Sequence, residues 1–199
     1  MMIMNFRALA GQTLLRIIAK AAVSLLFVGL AAVVSREGIA LAIMIIFTGV
    51  TGPTIRLDTM KMDGIYDRII VSPTSKSRFF LGFAGHWVIA VHLPLIPAIA
   101  VVLILKGPVT IIFIILGTVL AVALGTLAGV VSRGLSEAHL AALLTSGLLI
   151  PLSLIRTPVA GFIPYTNISA PSFEPAALIA AAILPAIAIV VLALAVSRS

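Results

Sequence analysis

Apolar residues in this chain fall into six long blocks separated by short polar breaks, with no alternation that would suggest strands. The blocks run approximately Leu14 to Val34, Ile39 to Gly52, Phe79 to Leu105, the turn at Lys106-Gly107-Pro108 to Val131, Ala138 to Ile155, and Pro175 to Val196. A helix needs roughly 20 mostly apolar residues to cross a bilayer core. The pattern therefore predicts an all-α polytopic membrane protein of six transmembrane helices, a single domain covering residues 1–199. The second block is short unless it continues toward Ile55, because Pro53 and the charges after it mark its exit.

The breaks are mostly minimal. Ser35-Arg36-Glu37-Gly38 and Lys106-Gly107-Pro108 read as tight turns, and Ser132 to Glu137 as a short polar loop with Ser136 as the helix N-cap. Residues 1–20 interleave Arg7, Arg16 and Lys20 with Phe6, Leu9, Leu14, Leu15, Ile17 and Ile18, which suits an amphipathic segment on the membrane face before the first crossing. The third span carries His86, Trp87, His92, Pro94 and Pro97, and a kink or unwound turn is expected near the prolines. Arg156 to Glu174 contains Pro158, Pro164, Pro171, Phe162, Tyr165 and Phe173, too apolar for a free loop. A broken or re-entrant element before the sixth span is expected there.

Composition sharpens this outline. The chain of 199 residues is 62% hydrophobic and 10% charged, with a mean hydropathy of +1.30. Soluble domains carry about 25% charged residues, so a water-soluble fold is excluded. The absence of cysteine removes disulfides and thiolate metal sites. A net charge of +7 would suggest nucleic acid in a soluble protein; here basic loops orient the chain, and no nucleic-acid partner is expected. With six spans, ten basic residues fall on the side of the termini (Arg7, Arg16, Lys20, Arg56, Lys61, Arg68, Lys76, Arg78, Arg133, Arg198) and three on the other (Arg36, Lys106, Arg156). The asymmetry puts both termini in the cytoplasm of a multi-pass plasma-membrane protein. No cleavable signal is evident, and the first block is expected to be a retained span.

One break is long. Pro53 to Phe83 holds eight charged residues: Arg56, Asp58, Lys61, Asp63, Asp67, Arg68, Lys76 and Arg78. On a helical wheel Met62, Ile65, Tyr66 and Ile69 share one face, and Lys61, Asp63, Asp67 and Arg68 the other, giving an amphipathic helix of about three turns. Ser72-Pro73 stops it, and Ser72 can cap the next helix with Pro73 at its first position. The expected shape is a cytoplasmic elbow, although patterning alone is equally consistent with a stiffened solvated loop.

Asp63-Gly64-Ile65-Tyr66-Asp67-Arg68-Ile69-Ile70-Val71-Ser72-Pro73-Thr74-Ser75, followed by Phe80-Leu81-Gly82, resembles the membrane subunit (permease) of ABC-2 type transporters. Ser146-Gly147 with Pro151 is similar to that family's pattern late in the fifth span. The topology is similar along the whole chain, whereas the specific motif covers about twenty residues. Two positions depart from it: Phe83 follows Gly82 where the family carries lysine, and Asp63 stands where glutamate is commoner.

The resemblance implies an ABC exporter of an amphipathic or lipid-linked molecule, embedded in membrane lipid. The permease would pair with a second permease subunit as homodimer or heterodimer, and with ATP-binding subunits. It implies that Lys61, Asp63, Gly64, Ile65, Tyr66, Asp67, Arg68, Ile69, Ser72 and Pro73 form a coupling helix and elbow contacting the ATPase. ATP and magnesium would be bound by that partner. This chain has no G-x-x-x-x-G-K-[ST] phosphate loop, so no catalytic residue, cofactor or metal is assigned to it.

Other chemistry is less well supported. Asp63-Gly64 and Arg68 resemble part of the D-x-x-D-G-x-x-A-R signature of CDP-alcohol phosphotransferases, but Met60 and Asp67 occupy two of its positions. After Asp67 the only acids are Glu137 and Glu174. His86 and His92 are six apart, off the three or four that places ligands on one helix face. A haem-export permease would give them meaning. His92, Thr126, Thr145 and Ser146 are candidates for a translocation path, although hydroxyls in spans mostly bond their own helix. Gly117, Ala121, Gly125 and Gly129 recur every four residues, a stripe that lets another helix approach closely, more readily within the chain than across a dimer.

Overall fold

The computed structural model describes residues 6–71, 76–154, 161–171 and 174–198. These form eight helices: α1 (Phe6–Val33), α2 (Glu37–Met62), α3 (Ile65–Ile70), α4 (Lys76–Lys106), α5 (Thr110–Val131), α6 (Leu135–Leu152), α7 (Pro164–Ser169) and α8 (Pro175–Arg198). All but α3 and α7 contain a stretch long and apolar enough to cross a membrane, which makes six such helices. No strand occurs among the described residues.

The bundle is built around α2 and α5. Of the residues in their most apolar windows 56% are buried, against 11% for α1. Their backbones nearly touch: a Cβ on Gly125 would lie 2.5 Å from the Val50 carbonyl oxygen, and one on Gly49 would lie 2.8 Å from the Ala121 Cβ. The Thr54 hydroxyl is 2.6 Å from the Val50 carbonyl and 2.7 Å from that of Gly125, tying the two helices together where no side chain fits between them. Without a hydrophobic force between helices in lipid, such close backbone packing carries the association. Outward faces of the surrounding helices expose Leu26, Leu30, Ile89, Leu143 and Leu148, as a lipid-facing surface requires.

Several boundaries differ from those expected. The N-terminal segment and first span are one continuous α1, because nothing between Phe6 and Val33 interrupts a helix; residues 1–5 lie outside the described residues. The second span does not end at Gly52. It runs through Pro53 to Met62, ten residues further, for a length of about 39 Å at 1.5 Å per residue. Proline removes the hydrogen bond to the carbonyl four residues back, and that carbonyl, of Gly49, abuts Gly125 on α5. The expected three-turn helix around Lys61–Ile69 is consequently two pieces. Lys61 and Met62 end α2, Gly64 turns the chain with φ +65°, and α3 contributes six residues. No unwound turn interrupts α4 at Pro94 or Pro97. Gly134, not Ser136, is the N-cap of α6.

At one end of the bundle Glu37 opens α2 and Lys106 closes α4, and their side chains form an ion pair of 2.9 Å. Beside it α7 packs on the starts of α2 and α5. A Cβ on Gly38 would meet the backbone of Ile168 and Ser169 at 2.6–3.0 Å, and the buried Tyr165 hydroxyl donates to the Gly117 carbonyl at 2.8 Å. The stretch expected to be broken thus contains a short helix with Pro164, Tyr165, Asn167 and Ile168 buried. Within that stretch, residues 156–160 and 172–173, including Arg156, Pro158 and Phe173, lie outside the described residues, as does Ile155, the expected end of the fifth span.

Candidate functional site at the α3 end

The opposite end gathers the close of α2, α3, the start of α4 and the ends of α5 and α8. Leu57, Met60, Tyr66, Phe80, Leu192 and Val196 form a buried cluster there, separate from the main core, with Ile69, Phe79 and Phe83 packed against it. Tyr66 is the peg by which α3 is held. It is 7% exposed and meets the Phe80 ring edge-on at 5.9 Å. Phe83, which stands where the ABC-2 motif carries lysine, stacks on Phe79 and leans on Trp87.

Lys61 faces inward. Its Nζ donates to the carbonyls of Gly129 (2.7 Å), Val130 (2.9 Å) and Ser132, and sits 5.2 Å from the centre of the Tyr66 ring. The last carbonyls of a helix lack intrahelical donors and carry its negative partial charge. An ammonium with three hydrogens can satisfy three of them at once. The side chain expected on the partner-facing surface is therefore committed to the C-terminus of α5. One turn back on α2, Asp58 is fully buried, and neither carboxylate oxygen has a hydrogen-bond partner among the described residues. A buried carboxylate is costly unless paired or hydrogen-bonded, and the Lys61 ammonium, three residues on along α2, is close enough to interact with its charge.

The outward face of this end consists of Met62, Asp63, Ile65, Asp67 and Arg68, all exposed, with Gly64 and Ile69 half-buried. It presents apolar and charged groups of both signs on a six-residue helix joined by short links to α2 and α4. Among the described residues nothing lies within 4 Å of a Cβ at Gly64, and its φ of +65° calls for glycine in the left-handed turn itself. Ser72 and Pro73 of the expected elbow lie outside the described residues.

The four residues expected to line a path fall in three environments. His92 on α4 is half-buried, with Nδ1 2.7 Å from the Val88 carbonyl and Nε2 3.3 Å from the Thr118 hydroxyl on α5. Thr126 is buried on α5 and donates to the Val122 carbonyl at 2.7 Å. On α6, Ser146 is buried and its hydroxyl has no hydrogen-bond partner among the described residues, and Thr145 is half-buried in a groove between α5 and α6. His86 is exposed. Of the glycine stripe, Ala121, Gly125 and Gly129 face α2, whereas a Cβ on Gly117 would lie 2.9 Å from the Tyr165 ring. Among the described residues no three His, Asp or Glu side chains lie close enough together to hold a metal ion.

Two groups at this end were not singled out by sequence reading, Asp58 and Glu137. The signal for Asp58 was its spacing with Thr54 and Lys61, which continues the buried face of α2 once that helix is extended past Pro53. Glu137 is the one acid between Asp67 and Glu174. No protein-family model, curated protein or solved structure matches this chain.

Proposed function

We propose that the chain is the membrane subunit of an ABC-2 type exporter, driven by a separate ATP-binding subunit that docks on α3. The observation that carries this reading is the construction of the α3 end. A short helix with an exposed mixed face is pegged by Tyr66 into a cluster shared by α2, α4 and α8, and lies directly between two spans. Force applied to such a helix is transmitted to the spans, while the exposed Ile65, Asp67 and Arg68 supply an apolar anchor and a charged rim of the kind found in protein interfaces. The Asp63-Gly64 to Ser72-Pro73 motif and six apolar helices agree with it. The basic residues of this end would make it cytoplasmic. The exported molecule would be amphipathic or lipid-linked, and α7 with its flanking chain would be the broken element before the last span.

The test is purification of the tagged chain from its native membrane. A co-purifying subunit with a phosphate-binding loop, and ATP hydrolysis by the reconstituted complex, are expected. Arg68→Glu and Asp67→Lys change only the exposed face and should release that subunit while leaving the melting of the bundle unchanged. Retention of a fully active complex by both variants would overturn the docking site, and the absence of any such subunit would overturn the transporter reading.

A further inference from the structure

Between α5 and α6 runs an open groove of about 430 Å³. Leu124, Leu127 and Val131 line it on α5, and Ala141 and Leu144 on α6. It is apolar along its length, with polar groups on α6 at two points. Glu137 stands at the α3 end, and Thr145 lies eight residues further along the same helix face, about 12 Å away along the axis.

Both polar groups are accessible from the groove, Glu137 exposed and Thr145 half-buried, and each has an oxygen that no described residue hydrogen-bonds. Thr48, Thr51, Thr54, Thr59, Thr118 and Thr126, in the interiors of other helices, each donate to the carbonyl four residues back. Thr145 makes no hydrogen bond among the described residues, although it too sits inside a helix. One oxygen of Glu137, Oε2, accepts the Arg133 backbone N–H at 2.8 Å. No hydrogen bond from the described residues reaches the other. The neighbouring Ser132 hydroxyl is already spent on the Gly129 carbonyl at 3.0 Å.

We infer that this groove binds a long-chain amphiphile with a primary ammonium head: the ammonium at Glu137, the chain along Ala141 and Leu144, and an oxygen or nitrogen of the ligand at Thr145. The charge argues for this occupant over other amphiphiles. The nearby Lys61 ammonium is committed to the carbonyls of Gly129, Val130 and Ser132. The group the channel end offers to a ligand head is therefore the Glu137 carboxylate, which repels sulfate, phosphate or carboxylate and attracts a cation. Its free oxygen is an acceptor, so a head that carries N–H donors gains a charge-assisted hydrogen bond that a quaternary ammonium cannot make. The inference rests on the exporter reading only in making this amphiphile the cargo; binding itself requires neither ATP nor a partner.

The experiment uses the intact chain in phosphatidylcholine nanodiscs and a dodecylamine carrying a diazirine on its chain. Cross-links are expected on the groove walls of α5 and α6. Unlabelled dodecylamine should compete at least about tenfold better than dodecyltrimethylammonium, dodecanol or dodecyl sulfate, the scale of one added charge-assisted hydrogen bond. Glu137→Gln keeps an oxygen for the Arg133 N–H and should abolish that preference. Ala141→Trp should fill the groove and remove the cross-links, with the thermal transition showing that the bundle remains folded. Equal competition by all four head groups would mean ordinary lipid filling and overturn the proposal, as would an unchanged amine preference in Glu137→Gln. Because wild-type competition alone decides the head-group question, a poorly folding variant does not remove the test. Failure here leaves the ATPase co-purification result standing, and the converse also holds.

Discussion

The Nζ of Lys61 donates to the carbonyl of Gly129 at 2.7 Å, so a side chain from α2 closes the end of α5. Val130 and Ser132 accept from the same ammonium. Lys61→Met removes the donor from all three carbonyls and leaves Asp58 buried without its neighbouring cation. The expected loss is about 2–4 kcal/mol, the range for breaking buried, charge-assisted contacts. Lys61→Arg should restore only part of it, because a planar fork does not match three convergent acceptors as an ammonium does. Adding Asp58→Asn to Lys61→Met should cost less than the sum of the single changes, since the uncompensated charge is then gone. Unfolding in detergent, measured as a double-mutant cycle, reads this coupling; strict additivity would mean that the two groups do not interact.

Gly125→Ala should separate α2 from α5. The added methyl would lie 2.5 Å from the Val50 carbonyl oxygen, and both neighbours are backbone, which cannot rotate away. Overpacking of this kind costs about 1–3 kcal/mol. Gly147→Ala is the control, because among the described residues nothing lies within 4 Å of a Cβ at that position. Alanine should be neutral or slightly stabilising there, by about 1 kcal/mol at most. Equal melting temperatures for the two variants would refute the close approach at Val50.

The six spans were legible because block length and apolarity are strong signals in a membrane chain. The positions that matter most at the α3 end were not. Pro53 reads as a helix stop under rules learned from water, where the freed carbonyl and the ring clash terminate a helix. In this bundle α2 continues, and the freed Gly49 carbonyl lies against Gly125. That single misplacement shifted Lys61 from the inside of α2 to the outside of an expected surface helix. The wheel drawn from Lys61 to Ile69 assumed continuous helical rotation, which the left-handed Gly64 breaks. The pattern places Tyr66 on the apolar side, where it is buried, yet nothing local reveals that it clusters with Phe80, Leu192 and Val196, the last two well over a hundred residues away.

Tyr165→Phe tests the anchoring of α7. Its hydroxyl donates to the Gly117 carbonyl in a fully buried setting, and deletion should cost about 1–2 kcal/mol. Burial also pushes the phenol above its ordinary range. The unfolded chain therefore releases this proton near pH 10 while the folded chain retains it. Above that pH the folded state binds more protons than the unfolded state, so stability falls as pH rises. Wild type should lose stability in alkali more steeply than Tyr165→Phe. Parallel alkaline profiles would show that Tyr165 is not held in the protonated state.

Glu37 and Lys106 pair at 2.9 Å where Glu37 is 3% exposed, and the second Glu37 oxygen has no partner among the described residues. Lys106→Met should cost about 3–5 kcal/mol by leaving a buried charge alone. The double variant Glu37→Gln with Lys106→Met should recover most of that loss, since an amide is far cheaper to bury than an ion. If the single and double variants melt together, the pair is solvated and the end of the bundle is open to water.

Arg36 and Arg68 are both exposed and flank α2, the former just before it and the latter on α3. If α2 crosses the membrane, they lie on opposite sides. Because the chain has no cysteine, Arg36→Cys and Arg68→Cys each provide a unique labelling site without further changes. A membrane-impermeant maleimide applied to intact cells should label Arg36→Cys, and Arg68→Cys should react only after the membrane is opened. That outcome follows from the ten basic residues on the α3 side against three on the other. The reverse pattern would keep the six-helix bundle but turn α3 away from any cytoplasmic ATPase, and the coupling proposal would fall with it. Labelling of both from one side would mean that α2 does not span, despite a length of 26 residues.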